Sequence, residues 1–299
     1  MQLPIDNISI NVIETETIKK LGISLSVLRL DEIHPQVSGN KLFKLHYFVE
    51  QCLATQHKTM LTFGGAYSNH LSATAFYCQS RGIKCIGVVR GEKPSTLSHT
   101  LLNCIQWGML LHFVSRADYT TWKANPYQQN LVEQFGACTI VPEGGFAPAG
   151  AAGAAHIMDT INLQHISHIV VSVGTATTLA GLLQNNKNNI KIIAVPAIKN
   201  MTDVDSRLSL LNDVEKQPII WPNYHFGGYA KYTNELLTFM NNLYCTHQIP
   251  TDFIYTAKMM YAVMDKIKEG FFSKNDHIMC IHTGGLQGNQ SLKPNTLIF

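Results

Sequence analysis

The sequence predicts an α/β fold built mostly from parallel strands that are covered by helices. Short apolar runs alternate along the chain with helix-length stretches that are amphipathic or rich in alanine. Strands that are apolar on both faces are typical of parallel sheets, because helices cover such sheets on both sides. The length of 299 residues is more than one compact core usually needs, so we expect two packed lobes.

The predicted strands are residues 59–63, 84–89, 109–114, 168–173, 191–195 and 277–281. The predicted helices are residues 41–53, 68–80, 95–107, 149–163 and 177–184. Glycine and proline are frequent in residues 142–153, which are the candidate boundary between the lobes. We therefore expect a large domain of residues 1–46 plus 149–299, with a small domain of residues 47–148 inserted in it. Residues 218–230 are predicted as a long loop with a functional role.

Composition and charge argue against nucleic-acid, membrane and metal functions. Hydrophobic residues make up 45% and charged residues 14%, and the net charge of +3 comes from scattered Lys and Arg. No apolar run reaches the length of a membrane span, and no signal peptide is visible. The 7 cysteines form no C-x-x-C pair, and the 13 histidines are dispersed without an H-E-x-x-H motif. These features predict a cytoplasmic protein with reduced thiols and no metal site.

Parallel sheets bind ligands at the carboxyl ends of their strands, and one loop in that context suits a phosphate. The loop VGTATTLAG, residues 173–181, follows a predicted strand and leads into a predicted helix. Its small residues allow a ligand to approach the backbone, and the helix start offers unpaired N–H groups. G-x-G-x-x-G and a Walker lysine are absent, which disfavours NAD and ATP. The alternative is a threonine-capped helix without a ligand.

Two further segments carry polar groups in similar positions. The loop GGAYSNHL, residues 64–71, places Ser68, Asn69 and His70 at a helix start, where they could bind a carboxylate. The alternative is ordinary helix capping. The segment SGNKLFKL, residues 38–45, puts Lys41 and Lys44 on one helical face. For the lysines alone, the alternative is a solvated basic turn.

Together these segments resemble the 1-aminocyclopropane-1-carboxylate deaminase/D-cysteine desulfhydrase family of fold type II pyridoxal-phosphate enzymes, which have a tryptophan synthase β-like fold. The resemblance implies that Lys41 carries pyridoxal phosphate as a Schiff base and that Lys44 assists its phosphate. It also implies that the loop with Ser68, Asn69 and His70 holds the substrate carboxylate and the cofactor's ring oxygen. The glycine signature VPEGG matches as well, and GTATTLAGL matches the phosphate cup, which here comprises Gly174, Thr175, Ala176, Thr177 and Thr178.

Elementary chemistry favours the same role for Lys41. A lysine must be neutral to attack the cofactor aldehyde, whereas the pKa of a free lysine is about 10.4. Burial and the neighbouring charge of Lys44 should both lower the pKa of Lys41. Once released from the cofactor, Lys41 is the expected base at the substrate α-carbon, with Ser68 as a second candidate.

The resemblance extends to residues that bear on the reaction. Tyr229 and Tyr255 are expected to flank the cofactor and handle a proton or leaving group; the alternative for each is a core tyrosine. Thr256 stands where ring-opening members of the family have a glutamate near the pyridine nitrogen, and Thr283 matches a hydroxyl facing that nitrogen. Hydroxyls there imply a weaker electron sink and thus β-elimination.

The sequence therefore predicts conversion of D-cysteine to pyruvate, ammonia and hydrogen sulfide. The alternatives are deamination of 1-aminocyclopropane-1-carboxylate or a D-serine-type substrate, and cofactor binding without turnover. The resemblance also implies a homodimer.

Overall fold

The computed structural model describes residues 8–34, 37, 39–121, 125–212 and 216–299. Residues 1–7 of the predicted large domain and Ser38 of the predicted cofactor segment lie outside this range. The strands are β1 Ile10–Ile13, β2 Ser24–Arg29, β3 Thr59–Gly64, β4 Lys84–Arg90, β5 Met109–Val114, β6 Thr139–Val141, β7 His168–Val173, β8 Lys191–Pro196, β9 Ile219–Ile220 and β10 His277–His282. The helices are α1 Glu16–Leu21, α2 Asn40–Leu53, α3 Asn69–Ser80, α4 His99–Gln106, α5 Arg116–Thr121, α6 Asn125–Phe135, α7 Pro148–Ala155, α8 Thr177–Gln184, α9 Val204–Ser209, α10 Asn234–His247 and α11 Thr256–Lys268.

The strands form two sheets. The larger has the order β1-β2-β10-β7-β8-β9, and the smaller has the order β5-β4-β3-β6. Every pairing is parallel except that of β1 with β2. All residues of β3 and β7 are buried, as expected for strands that are covered on both faces. The predicted α/β class with mostly parallel sheets is confirmed, while the domain bounds stay a prediction.

The elements differ from the prediction where local signals were weak or misleading. All the predicted strands form, but β1, β2, β6 and β9 were missed; β6 and β9 have only three and two residues. Helix α4 begins at His99 rather than residue 95, because the Ser98 hydroxyl accepts a hydrogen bond from Leu101 N and caps it. Helix α7 ends at Ala155, and 3-10 turns replace the rest of the predicted helix.

Close helix packing brings the predicted site segments together. A Cβ on Gly153 of α7 would lie 2.2 Å from Phe43 O of α2, and one on Gly181 of α8 would lie 2.5 Å from Ala151 O of α7. Only glycine permits these approaches. As a result the first turns of α2 and α8 meet, and Asn40 Nδ2 donates a hydrogen bond of 2.7 Å to Thr178 Oγ1.

A buried charge cluster fixes the large sheet next to the site. Arg29 at the end of β2 donates hydrogen bonds of 2.9 and 2.7 Å to the carboxylate of Asp31. Asp31 Oδ1, which accepts from Arg29 Nε, also lies 3.0 Å from His282 Nδ1, and His282 Nε2 lies 2.8 Å from Pro250 O. Burial alone would raise the pKa of Asp31, but His282 and Arg29 lower it to about 2. The cluster thereby holds the end of β10, which leads directly into Thr283.

We expect Asp31→Asn to destabilise the protein by about 3 kcal/mol, because it leaves Arg29 without its buried counter-ion. The matched control is Glu32→Gln, since Glu32 is the exposed partner of the same guanidinium and should contribute about 1 kcal/mol or less. The folded pKa of Asp31 lies below the unfolded value of about 3.9, so its contribution is present above that value and is lost as the pH falls towards 2. Urea unfolding at several pH values should show that the difference in the free energy of unfolding between wild type and Asp31→Asn disappears between about pH 4 and 2. A difference in the free energy of unfolding that stays constant over this range would contradict the role of Asp31 as the ionised partner of Arg29.

Within the described ranges no helix is long and apolar enough to cross a membrane. All the cysteines are free, and Cys52, Cys78, Cys85, Cys104 and Cys280 are buried.

Candidate active site

One large cavity opens at the carboxyl ends of strands from both sheets. Its volume is about 950 Å³, at the upper end of the usual range for small-molecule sites. Its wall contains residues that lie at the ends of β3, β4, β6, β7, β8 and β10 or within two positions after them. All residues that the sequence predicted for the site, except Thr256, line it: Lys41, Lys44, Ser68, Asn69, His70, Gly174, Thr175, Ala176, Thr177, Thr178, Tyr229, Tyr255 and Thr283.

Lys41 enters the cavity from the first turn of α2. Gly39, just before the helix, has a φ of 74°, and a Cβ there would overlap Thr283 O at 1.9 Å, so the chain passes directly over the Thr283 backbone. Lys41 Nζ donates a hydrogen bond of 2.6 Å to Asn40 Oδ1. Burial lowers the pKa of Lys41 to about 8, against a weaker opposing effect of Asp252. A larger neutral fraction is therefore present near neutral pH than for a free lysine.

Lys44 is a buried amine without a carboxylate partner among the described residues. It is 4% exposed, and its pKa is lowered well below the ordinary value, first by burial and then by the charge of Lys41. Lys44 was expected to lower the pKa of Lys41, but burial alone lowers that pKa and the charge effect acts in the other direction, from Lys41 on Lys44. Burying a charge without a partner is costly, so this position suits a bound anion.

The loop between β7 and α8 forms a cup beside Lys44. Ala176 has a φ of 67°, a left-handed conformation that costs an alanine about 1 kcal/mol and is typical of functional turns. No side-chain hydrogen bond caps the start of α8, so its first N–H groups are available to a ligand. Thr175 Oγ1 and Thr177 Oγ1 lie 2.9 Å apart within the cup. Backbone donors, hydroxyls and the helix start together suit a phosphate.

The loop after β3 presents unpaired acceptors to the cavity wall. Thr62 Oγ1 donates to Val141 O at 2.9 Å, so it must accept the hydrogen bond of 2.8 Å that joins it to His70 Nε2. Burial, and then the charges of Lys44 and Lys41, hold the pKa of His70 well below its ordinary value, so the ring is neutral. His70 Nδ1 is then an acceptor. This atom and Asn69 Oδ1 are buried without a partner in the described part of the chain.

Tyr229 and Tyr255 stand together in the cavity wall, with Tyr255 next to Gly174 of the cup. Their ring centroids are 6.1 Å apart at an interplanar angle of 68°. Gly174 makes room for this pair, because a Cβ there would lie 3.0 Å from Tyr255 Cε1. Burial, followed by the proximity of Tyr229, raises the pKa of Tyr255 well above its ordinary value. Both phenols are therefore protonated donors at neutral pH.

The two threonines expected near the pyridine nitrogen have different positions. Thr283 lines the cavity at the end of β10. Thr256 is fully buried away from the cavity wall, where its hydroxyl donates to Asp252 Oδ1 at 2.7 Å and accepts from Asp252 N at 2.8 Å. Asp252 also accepts hydrogen bonds from the backbone N–H groups of residues 254–256, which fixes the start of α11. The hydroxyl of Thr256 therefore stabilises the start of α11.

The sequence analysis did not identify two charged residues of the cavity wall or a buried lysine that anchors one of its loops. Arg90 directly ends β4 and Glu143 closely follows β6, and both line the cavity. Their place at strand ends was the signal that could have revealed them. Lys258, buried in α11, donates a hydrogen bond of 2.7 Å to Gly228 O and so anchors the loop that carries Tyr229.

Comparison with known proteins also points to a pyridoxal-phosphate-dependent enzyme. The family model described as pyridoxal-phosphate dependent enzyme matches residues 10–284. A Pyrococcus abyssi protein, provisionally named a 1-aminocyclopropane-1-carboxylate deaminase, is 26% identical over 293 residues, covering 90% of this chain and 87% of the relative. D-cysteine desulfhydrase of Klebsiella pneumoniae is 26% identical over 288 residues, covering 89% and 88%. The crystal structure of an ACC deaminase homologue superimposes with a TM-score of 0.80 and 25% identity, covering 95% and 90%.

The residues in the cavity fit this cofactor. Lys44 and the uncapped start of α8 offer a buried cation and N–H donors to the phosphate, and Lys41 offers an amine with a lowered pKa. The chain belongs to the family of pyridoxal-phosphate-dependent enzymes, with the fold type II architecture shared by its relatives of the 1-aminocyclopropane-1-carboxylate deaminase and D-cysteine desulfhydrase type.

Proposed function

We propose that the protein eliminates hydrogen sulfide from D-cysteine, taking up one water molecule to give pyruvate, ammonia and hydrogen sulfide. The supporting observation is the chemistry at Thr256 and Thr283. Thr256 replaces the glutamate of ring-opening deaminases, and its hydroxyl is occupied by Asp252, while Thr283 offers the cavity only a neutral hydroxyl. Bound pyridoxal phosphate supplies an electron sink, which is weaker without a carboxylate at the pyridine nitrogen. Loss of a thiolate from the β-carbon demands less of that sink than opening a carbon–carbon bond.

The other residues of the cavity take roles that follow from their contacts. Lys41 removes the proton from the α-carbon, because its lowered pKa leaves part of it neutral. In the loop with Ser68, Asn69 and His70, the Ser68 hydroxyl and the Asn69 amide N–H are the donors that bind the substrate carboxylate, since His70 Nδ1 and Asn69 Oδ1 are acceptors. The protonated phenols of Tyr229 and Tyr255 donate hydrogen bonds to the departing sulfur. The family resemblance further supports a homodimeric, cytoplasmic protein.

A product assay over several substrates tests this proposal. We expect sulfide, pyruvate and ammonia in equal amounts from D-cysteine, and little 2-oxobutanoate from 1-aminocyclopropane-1-carboxylate. L-Cysteine tests the stereochemical preference of the enzyme. D-Serine, which has a poorer leaving group, tests whether a good leaving group is needed. Ring opening is the second candidate, because relatives bear that name. If the cyclopropane amino acid reacts faster than D-cysteine, ring opening replaces elimination.

Ser68→Ala should slow D-cysteine turnover roughly ten- to a hundredfold, through loss of a hydrogen bond to a charged carboxylate, and leave the yellow cofactor band in place. Ser68 also caps α3 through Leu71 N at 3.3 Å, so its loss has a structural cost of about 1 kcal/mol. Thr233→Ala is the control, because Thr233 caps α10 through Leu236 N in the same way and lies outside the cavity wall. Equal losses of turnover in the two variants would assign Ser68 a structural role only.

A further inference from the structure

The loop that carries Ser68, Asn69 and His70 follows the small sheet but contacts a turn that follows the large sheet. Strand β10 leads through Thr283 into a 3-10 turn, Leu286–Ser291. Just before this turn Gly285 has a φ of 98°, and a Cβ there would lie 3.0 Å from Asn69 Nδ2. The glycine therefore lets the backbone of the turn lie directly against the amide of Asn69.

Gln287 joins this turn to the two helices that follow β3 and β4. Its Oε1 accepts a hydrogen bond of 2.9 Å from the hydroxyl of Ser72, which is fully buried in α3. Its backbone carbonyl lies 3.2 Å from Nε2 of His99, the first residue of α4. Because a carbonyl oxygen only accepts, the histidine nitrogen is the donor. One residue after the large sheet thus holds two helices of the small sheet.

Both helices pass this contact on to the loop. Ser72 lies one helical turn after Ser68, and its N–H donates a hydrogen bond of 3.2 Å to Ser68 O. The Ser98 hydroxyl, which caps α4, donates to Ala66 O. Ala66 and Ser68 line the cavity. The loop is therefore fixed from outside the cavity at both residues.

Stability alone does not account for a glutamine at residue 287. Its Nε2 is buried and has no hydrogen-bond partner in the part of the chain that the structure describes. A buried donor without a partner is unfavourable, and it offsets the favourable contact between Oε1 and Ser72. A methionine would have a similar shape without either effect. The specific gain from the glutamine is the fixed position of α3.

We propose that Gln287 is a positioning residue, which holds the loop with Ser68 and Asn69 at the distance from Lys41 that a bound substrate requires. Gln287 lies outside the cavity wall, so it acts through Ser72 and His99. Small displacements of a binding group are costly, because hydrogen bonds weaken steeply away from their preferred geometry. The inference rests on the proposed function in one respect, since it takes this loop as the site of the substrate carboxylate.

Gln287→Met should raise the KM for D-cysteine roughly three- to tenfold, the factor that corresponds to one neutral hydrogen bond. The kcat should change less than about twofold, because the carboxylate is held alike in the ground and transition states. Ser72→Ala should have the same effect. The double variant should be no worse than either single variant, since both remove one shared contact. The yellow band and the affinity for pyridoxal phosphate should not change.

Asn186→Leu is the control for a loss of stability. Asn186 is another buried amide, hydrogen-bonded to both backbone groups of Ile190, and it lies outside the cavity wall. We expect this variant to lower the thermal unfolding midpoint more than Gln287→Met does, yet to leave the KM unchanged. An equal rise of the KM in the two variants would overturn the positioning role.

Binding of alanine separates this inference from the proposed function. Alanine has no leaving group on its β-carbon, so titration of the cofactor absorbance with D- and L-alanine measures binding without elimination. Weaker alanine binding in Gln287→Met, in a protein that releases no sulfide from D-cysteine, would keep the positioning role and reject the proposed function. Unchanged alanine binding in Gln287→Met, or single effects that multiply in the double variant with Ser72→Ala, would overturn the positioning role.

Discussion

Lys41→Ala protein should lack the yellow band of the holoenzyme and turn over D-cysteine roughly 10²- to 10⁴-fold more slowly, the usual contribution of a positioned proton-transfer group. Lys41 is the amine in this cavity that combines a pKa of about 8 with a position at the start of α2, hydrogen-bonded to Asn40. Its removal takes away both the covalent link to the cofactor and the base at the α-carbon. Absorbance and sulfide release measure the two effects separately.

Lys41→Arg is the control for charge. Arginine keeps a positive charge in the same place but cannot form the link, so the band should be absent in this variant too. Retention of the band in Lys41→Ala would mean that another lysine carries the cofactor.

Lys44→Met should have opposite effects on the apoprotein and on cofactor binding. In the apoprotein it removes a buried amine that has no carboxylate partner among the described residues and that would carry a charge in the unfolded chain, so thermal unfolding should shift upwards by a few degrees. Affinity for pyridoxal phosphate should fall roughly ten- to a hundredfold, because a charge-assisted contact with the phosphate is lost.

Lys258→Met is the matched control for this result. Lys258 is also a buried lysine, but it already donates a hydrogen bond to Gly228 O, so its loss should destabilise the apoprotein. Lys44→Met is therefore expected to combine a more stable apoprotein with weaker cofactor binding. A Lys44→Met apoprotein that is less stable than the wild type would show that Lys44 stabilises the empty fold and is not held ready for an anion.

The fold was predictable from sequence where its pattern was strong. The six apolar runs that were predicted as strands all form, and all but the edge strand β5 are largely buried, which leaves a continuous hydrophobic signal. Strands β6 and β9 are too short to show a period, and β1 is an edge strand with exposed residues. Helix α7 was predicted too long, since its alanine-rich start gave no sign that the chain turns after Ala155.

The segments that form the site were predictable from the sequence, but the positions of some side chains within it were not. Lys41, the loop with Ser68 and the cup at residues 174–178 all reach one cavity, because strand ends of both sheets converge there. The position of Thr256 depends on Asp252, whose carboxylate gathers the start of α11, and no local pattern predicted that contact. Arg90 and Glu143 come together only through the strand order of the small sheet.

Borohydride reduction of the wild-type holoenzyme, followed by mass spectrometry of its peptides, tests the central assignment most directly. Reduction makes the cofactor link permanent, so the modified lysine can be read from the fragment masses. We predict one modified peptide, with the pyridoxyl group on Lys41 and none on Lys44, three residues further along the same helix. A pyridoxyl group found on Lys44, on Lys258 or on any other lysine would contradict the account of this site.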